Sequence, residues 1–253
     1  MILREYKQLM AEYFDLVCSE VDGPELEFWL KVASEANGPI LELGSGTGRV
    51  LIPLLQRGFD ISGIDTSPYM VERCHAKCHE KGLTVVMHGQ SMRELELPNK
   101  YGLIILASCG LGLLITDQDV HISLERVIQH LRPGGLFVFE IEPIPISPRD
   151  NDKRWSGRWY RGPNDVIVAS RRIINYDPDT HVWENLTIYE KFIDGRLIET
   201  EANDRTGRYF SVAEVIGFLT QAGFVEIRAS HWLTEEPPRE DSKVITCRCR
   251  RPK

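Results

Sequence analysis

The sequence predicts an α/β fold: a doubly wound, mostly parallel seven-stranded sheet with an inserted antiparallel β region. Three observations predict it. Short apolar runs alternate with helical periodicity across residues 39–142. A glycine-rich turn, Gly44-Ser45-Gly46-Thr47-Gly48, joins the first apolar run to the helical pattern that follows it. Hairpin signals then crowd residues 145–210 without a helix between them. Strands that alternate with helices pair in parallel, whereas strands separated by tight turns pair antiparallel.

The elements follow in order. Leu3, Tyr6, Leu9, Met10, Tyr13, Phe14 and Val17 are spaced for a helix over residues 3–20. A second helix is expected over Gly23–Glu35, with Pro24 in its first turn. Together they form an expected N-terminal helical cap, 1–36. Pro39–Leu43 reads as a strand, Arg49–Gln56 as a helix and Phe59–Ile64 as a strand ending at Asp65. Ser67 and Pro68 suit the N-cap and first position of a helix that Gly82 ends. Leu83–His88 and Tyr101–Ala107 are the third and fourth strands. Thr116 and Asp119 make a capping box for a helix running to Leu131. Pro133-Gly134-Gly135 is a turn before a strand over Leu136–Ile141. Val166–Asn175, His181–Phe192 and Leu197–Asp204 are hairpin strands, split by Asp177-Pro178-Asp179 and Asp194-Gly195. Ser211 and Glu214 cap a helix that stops at Gly223, and strands over Phe224–His231 and Lys243–Arg250 complete the chain. The whole of 1–253 is read as a single domain carrying the 145–210 insertion.

Composition narrows the function classes. With 253 residues, 42% hydrophobic and 26% charged, the chain is ordinary for a globular protein. Its net charge of −7 argues against a nucleic-acid partner. No apolar run is long enough for a membrane span, and Met1–Lys7 lacks a signal-peptide pattern, so a cytoplasmic setting without membrane contact is expected. The six cysteines are scattered and form no disulfide framework. Cys74 and Cys78 share one helix face while His75 and His79 share another, and no second cluster completes a metal site. Cys247 and Cys249 alternate at strand period as small core side chains.

Chemistry concentrates at the strand ends. A dinucleotide fingerprint is G-x-G-x-x-G, but here the spacing is G-x-G-x-G, with Arg49 where the third glycine would be. Glu42, two residues before Gly44, would repel a pyrophosphate and suits an ammonium group. Asp65, about 20 residues beyond the turn, is placed to accept ribose hydroxyls, with helix capping as its alternative role. In an open α/β sheet the ligand crevice lies beyond the strand carboxyl ends, so Ala107 and Ser108 should face it.

The stretch Glu42-Leu43-Gly44-Ser45-Gly46-Thr47-Gly48 resembles motif I (E/D-x-G-x-G-x-G) of the class I S-adenosylmethionine-dependent methyltransferases. Gly63-Ile64-Asp65-Thr66-Ser67-Pro68-Tyr69-Met70 is similar to the family's G-x-D-x-S-x-x-M segment, and Leu131-Arg132-Pro133-Gly134-Gly135 to its turn before strand five. The resemblance covers residues 37–142 well and 211–250 loosely, where it implies an antiparallel last strand pair. It implies S-adenosyl-L-methionine as cofactor, with Glu42 near the methionyl end, the turn with Ser45 and Arg49 around it, and Thr66 and Met70 flanking the adenosine. The family often has an Asp on the adenine amino group, where this chain has Gln90 or Ser91; the Ser91 and Met92 main chain is expected to grip the ring edge. The N/D-P-P-Y/F tetrapeptide of nucleic-acid and protein amide enzymes is absent after strand four, which favours a small-molecule acceptor methylated on N or O.

The layout looks like that of glycine/sarcosine and amino-sugar methyltransferases, in which the N-terminal helices and the 145–210 insertion hold the acceptor. Tyr6, Tyr13, Trp155, Trp159 and Tyr160 are candidates for an aromatic lid, and Tyr6, Tyr13 and Tyr160 for acceptor contact; packing is the alternative for each. His121, His231, Glu140 and Glu142 are candidate bases by location alone; a surface or core role is the alternative for either histidine, amine binding or an orientation away from the cleft for either glutamate, and no catalytic residue is assigned among them. Two other readings stay open: a non-catalytic S-adenosylmethionine-binding module, and an NAD-dependent oxidoreductase. A homodimer is an open option for the quaternary state.

Overall fold

The computed structural model describes residues 6–145, 155–162 and 165–253. Two helices come first, α1 (Gln8–Val17) and α2 (Gly23–Ser34), so the start expected for the first helix at residues 3–5 lies outside the described residues. Alternation follows: β1 (Ile40–Leu43), α3 (Leu51–Gln56), β2 (Ile61–Ile64), α4 (Pro68–Glu80), β3 (Val86–His88), β4 (Tyr101–Leu106), α5 (Asp117–His130) and β5 (Leu131–Ile141). Then come β6 (Ser156–Arg161), β7 (Ile167–Tyr176), β8 (Val182–Ile193) and β9 (Arg196–Arg208), and finally α6 (Val212–Gln221), β10 (Val225–His231) and β11 (Ile245–Arg250).

The strands form a seven-stranded sheet, ordered β10-β11-β5-β4-β1-β2-β3, and a four-stranded sheet, ordered β6-β7-β8-β9. In the first, β1–β5 run parallel and β11 enters antiparallel between β5 and β10. The second is antiparallel throughout. The strand order reverses at β1, which pairs with β2 on one side and β4 on the other. A crevice opens at such a reversal, beyond the strand carboxyl ends.

Side-chain alternation makes the large sheet two-faced. Leu41, Ile104, Leu106, Phe137 and Phe139 pack toward α5 and α6. Ile40, Leu103, Ile105, Leu136 and Val138 pack toward α2, α3 and α4. Cys74 and Cys78 are buried in that second layer while His75 and His79 are exposed, so the four do not converge. Cys247 and Cys249 are buried in the first layer.

Three local expectations need correcting. The helix after the glycine turn begins at Leu51 and not at Arg49, because residues 46–50 are used up by the turn. Pro53 sits in its first turn, where a missing N–H costs nothing. The Pro133-Gly134-Gly135 turn lies within β5: Leu131 pairs with Tyr101 and Leu136 with Leu103, so residues 132–135 bulge out. The Thr116–Asp119 box is half made. Thr116 Oγ1 accepts from Asp119 N–H, but the Asp119 carboxylate pairs with Arg93 at 3.0 Å. By contrast, Ser211 and Glu214 form the complete box.

The second sheet is anchored by α1. Glu201 of β9 accepts from Leu9 N–H at 2.9 Å and Met10 N–H at 3.1 Å, satisfying the free amides of the helix's first turn. Asp15 of the same helix pairs with Lys77 at 3.1 Å and with Arg73, both on α4. Among the described residues, no helix is long and apolar enough to cross a membrane.

Candidate active site

The three glycines of the turn all take positive φ: Gly44 at 59°, Gly46 at 55° and Gly48 at 86°. Their surroundings differ. A Cβ at Gly48 would sit 2.7 Å from Ile52 Cγ1 and 2.9 Å from Cys74 Sγ, so this glycine lets the turn pack on α3 and α4. A Cβ at Gly44 would meet nothing nearer than Leu106 Cδ1 at 3.8 Å, and at Gly46 nothing nearer than Met70 Sδ at 4.0 Å. Those two positions leave open space beside the main chain. Gly63 on β2 is a further packing glycine, since a Cβ there would lie 2.2 Å from Ser45 Oγ.

Carboxylates surround the turn. Glu42 is buried at 3% exposure, its Oε2 has no hydrogen-bond partner, and burial raises its pKa from 4.5 to about 8 against the pull of Arg49. Asp65 accepts from Gly46 N–H through Oδ2 and from Ser67 N–H through Oδ1, both at 2.9 Å. Burial raises its pKa and these amides oppose the rise. The capping alternative is thus partly realised, although a carboxylate keeps further acceptor positions. Thr66 is exposed beside it, and Met70 is buried under the turn.

Arg49 crosses the crevice. It pairs with Glu25 of α2 at 2.8 Å and donates to Ser108 Oγ at 3.0 Å. Ser108 and Cys109, which follow β4 and the buried Ala107, have φ of 57° and 59°. Two consecutive non-glycine residues in this region are strained and must be held. Glu140 of β5 holds them: its Oε2 accepts from Ser108 N–H and its Oε1 from Trp232 Nε1–H, both at 2.7 Å. Glu140→Ala should deprive the part-buried Ser108 N–H and Trp232 Nε1–H of their acceptor and cost ~0.5–1.5 kcal/mol of stability. Denaturant unfolding checks this; an unchanged midpoint would contradict the clamp.

At the far end, Gln90 is committed to its own loop, donating to Glu96 O and accepting from Glu96 N–H at 3.1 Å. The Ser91 hydroxyl donates to Glu94 at 2.9 Å and keeps its acceptor capacity. Met92 begins a 3-10 turn, Met92–Glu94.

A cavity of about 360 Å³ adjoins Ser108 and Cys109, between the ends of β4 and β5 and the second sheet. Tyr6, Glu142, Arg172, Asn185 and Arg205 line it. Tyr13 and Tyr160 are not in this lining; they pack edge to face at 5.5 Å, and Tyr13 accepts from Ser170 Oγ at 2.7 Å. Trp155 and Trp159 are exposed. Of the suggested bases, His121 packs edge to face on Phe218, His231 bonds Ser242 and Glu140 is the clamp; Glu142 alone of the four lines the cavity. Glu25, Trp232 and Arg205 escape sequence reading because each acts through a fold contact, not a motif. The signal within reach was the polar alternation Glu201, Asn203, Arg205 on one face of β9.

A methyltransferase domain family profile matches residues 40–135, from β1 into β5. Residues 40–135 are a methyltransferase domain, and the chain is an S-adenosylmethionine-dependent methyltransferase. The methyltransferase is 25% identical to YqeM of Bacillus subtilis (strain 168), which is described as a candidate methyltransferase, over 94% of each chain. Among solved structures it shares its fold with an S-adenosylmethionine-dependent methyltransferase from Clostridium acetobutylicum (TM-score 0.79, 17% identity, 98% of this chain and 99% of that one). It also shares it with CalS10, an amino pentose methyltransferase from Micromonospora echinaspora (TM-score 0.70, 18% identity, 97% and 98%). The methyltransferase uses S-adenosyl-L-methionine.

Proposed function

We propose that the methyltransferase acts on a nitrogen or oxygen of a small molecule held in the cavity beside Ser108, with the 145–210 region as its lid. The observation that carries this reading is the cavity's position. It lies at the carboxyl end of β4, next to the strained Ser108–Cys109 step, and is closed on its far side by β7, β8 and β9. Its volume of about 360 Å³ suits a small ligand and not a polymer. CalS10 methylates an amino pentose, and an acceptor of that kind is consistent with this volume. Six unpaired thiols favour a reducing, cytoplasmic setting.

The residues around the turn fit the cofactor. The partnerless Glu42 Oε2 offers an ammonium an acceptor, and the open faces of Gly44 and Gly46 admit a ligand against the main chain. On this reading Arg49 attracts the methionyl carboxylate, Asp65 holds the ribose hydroxyls, and Thr66 and Met70 flank the adenosine. Ser91 and the Met92 main chain take the adenine edge, with Gln90 supporting their loop. The cofactor supplies a methyl group activated by a positively charged sulfur. The protein's part is to orient the acceptor and exclude water. Glu142 is the cavity carboxylate, raised by burial against Arg172 and Arg205, and is suited to hold the proton an acceptor ammonium must lose.

Turnover against amines, amino acids, sugars and phenols, read as S-adenosylhomocysteine release, tests the assignment. Methylation confined to macromolecules would overturn it.

Glu42 adds a pH prediction. Below about pH 8 the free protein holds it protonated. A raised folded pKa stabilises the fold fully below its ordinary 4.5, and this contribution is lost as pH rises to about 8. A cofactor ammonium favours the ionised form, so binding at neutral pH should release a proton and tighten as pH rises. Calorimetry in two buffers of different ionisation enthalpy reads the release. Equal heats in both buffers would remove Glu42 from the ammonium.

A further inference from the structure

The cavity's two walls differ in chemistry. The wall just beyond the end of β5 contributes Glu142, the only acidic residue among the described lining residues. The polar wall from the second sheet includes Arg172, Trp183, Asn185, Arg205 and Arg208, all hydrogen-bond donors. Asn185 keeps to this pattern: its Oδ1 accepts from the Thr187 hydroxyl at 3.0 Å, which leaves its NH2 for the cavity it lines.

The arginines are not equivalent. Arg208 is committed to Asp117 and to Glu214, the latter at 2.8 Å. Arg205 has no carboxylate within ion-pair range among the described residues. Its Nη1 donates to the Tyr6 hydroxyl at 3.2 Å, its guanidinium lies 5.4 Å from the Tyr6 ring centre, and its Nε is buried without a partner. A guanidinium held by an aromatic face, with a donor left over, is preorganised for a second acceptor. The charged groups facing Glu142 are Arg172 and Arg205. The cavity therefore sets a carboxylate against cations, within a protein of net charge −7.

We infer that the acceptor is a small amine that also carries an anionic group, a carboxylate or a phosphate. Arg205 with the Asn185 NH2 receives the anion, and Glu142 faces the amine near Ser108. The inference rests on the small-molecule reading above and narrows it to one charge pattern. Arg205 acts on acceptor selection and not on the methyl donor.

The test compares matched acceptors: amino acids against their amides, and amino-sugar phosphates against the free amino sugars. Turnover of anionic members, with kcat/KM falling about tenfold or more in the neutral partner, is expected from loss of a charge-assisted contact. The carboxylate and phosphate series separate the two anion sources. Arg205→Gln should raise KM for the anionic acceptor about tenfold and leave KM for its neutral partner unchanged. Arg205→Lys, which keeps the charge and loses the fork, should fall between. Calorimetric binding of S-adenosylhomocysteine should be unaltered in both variants, which excludes a folding defect. Equal turnover of neutral and anionic partners would overturn the anion site and leave the small-molecule reading standing. No turnover of any small amine would overturn both. A KM increase of equal size for both partners would reduce Arg205 to a packing role.

Discussion

Asp65→Ala should weaken S-adenosylmethionine binding by ~1–3 kcal/mol, about 5–150-fold, through lost charge-assisted hydrogen bonds. The substitution has a second effect that must be separated. Asp65 also accepts from Gly46 N–H and Ser67 N–H, so it ties the glycine turn to the start of α4. Alanine removes both ties, and the melting temperature should fall as well. Asp65→Asn keeps one carbonyl acceptor and loses the charge, so it should retain more stability and still bind the cofactor weakly. Calorimetric titration with S-adenosylmethionine, run beside thermal unfolding, reads the two effects independently. Unchanged affinity in the alanine variant would refute a ribose role for Asp65.

Gly46→Ala and Gly48→Ala should fail in opposite ways, although the residues are two apart and both have positive φ. Each substitution carries a left-handed backbone penalty of ~1–2 kcal/mol. At Gly48 the new Cβ would also meet Ile52 Cγ1 at 2.7 Å and Cys74 Sγ at 2.9 Å, and such overpacking adds ~1–3 kcal/mol. Gly48→Ala should therefore be the more destabilised protein. At Gly46 the Cβ would meet nothing nearer than Met70 Sδ at 4.0 Å, so with Gly46 against the cofactor, as proposed, Gly46→Ala should fold and lose cofactor affinity. Melting temperature and dissociation constant, measured for both, give a crossed pattern. A common ranking in both measurements would mean that the open face of Gly46 is not a ligand surface.

The cofactor half of the fold was legible because its signals are local. Ser67 before Pro68, Gly82 after the helix and Ser211 with Glu214 each act within one turn of backbone, and each behaves as its residue type requires. The glycine turn is legible for the same reason. The bulge at residues 132–135 was not, because a Pro-Gly-Gly turn and a strand that swells around those residues share one local signature. Only pairing with Tyr101 and Leu103 distinguishes them. The acceptor half resisted for a different reason. Arg49 bonds Ser108, Glu140 bonds Trp232 and Arg205 bonds Tyr6, and these partners lie 59, 92 and 199 positions apart. Sequence spacing carries no information about such meetings. Glu140 is the plainest case: an acidic residue at a strand end looks like a base until both of its oxygens are found accepting from Ser108 and Trp232.

The bond between Glu201 and the first turn of α1 has a consequence for synthesis. The helix and its capping carboxylate are 192 positions apart, so α1 leaves the ribosome long before the group that satisfies its amides exists. Strands β1 to β5 and their helices can assemble in the meantime, since all of them precede Glu201 in the chain. The capping of α1 is thus completed only after β1 to β5 and their helices have been made. The acceptor chamber, which needs both Tyr6 and Arg205, 199 positions apart, closes only once Arg205 has been made.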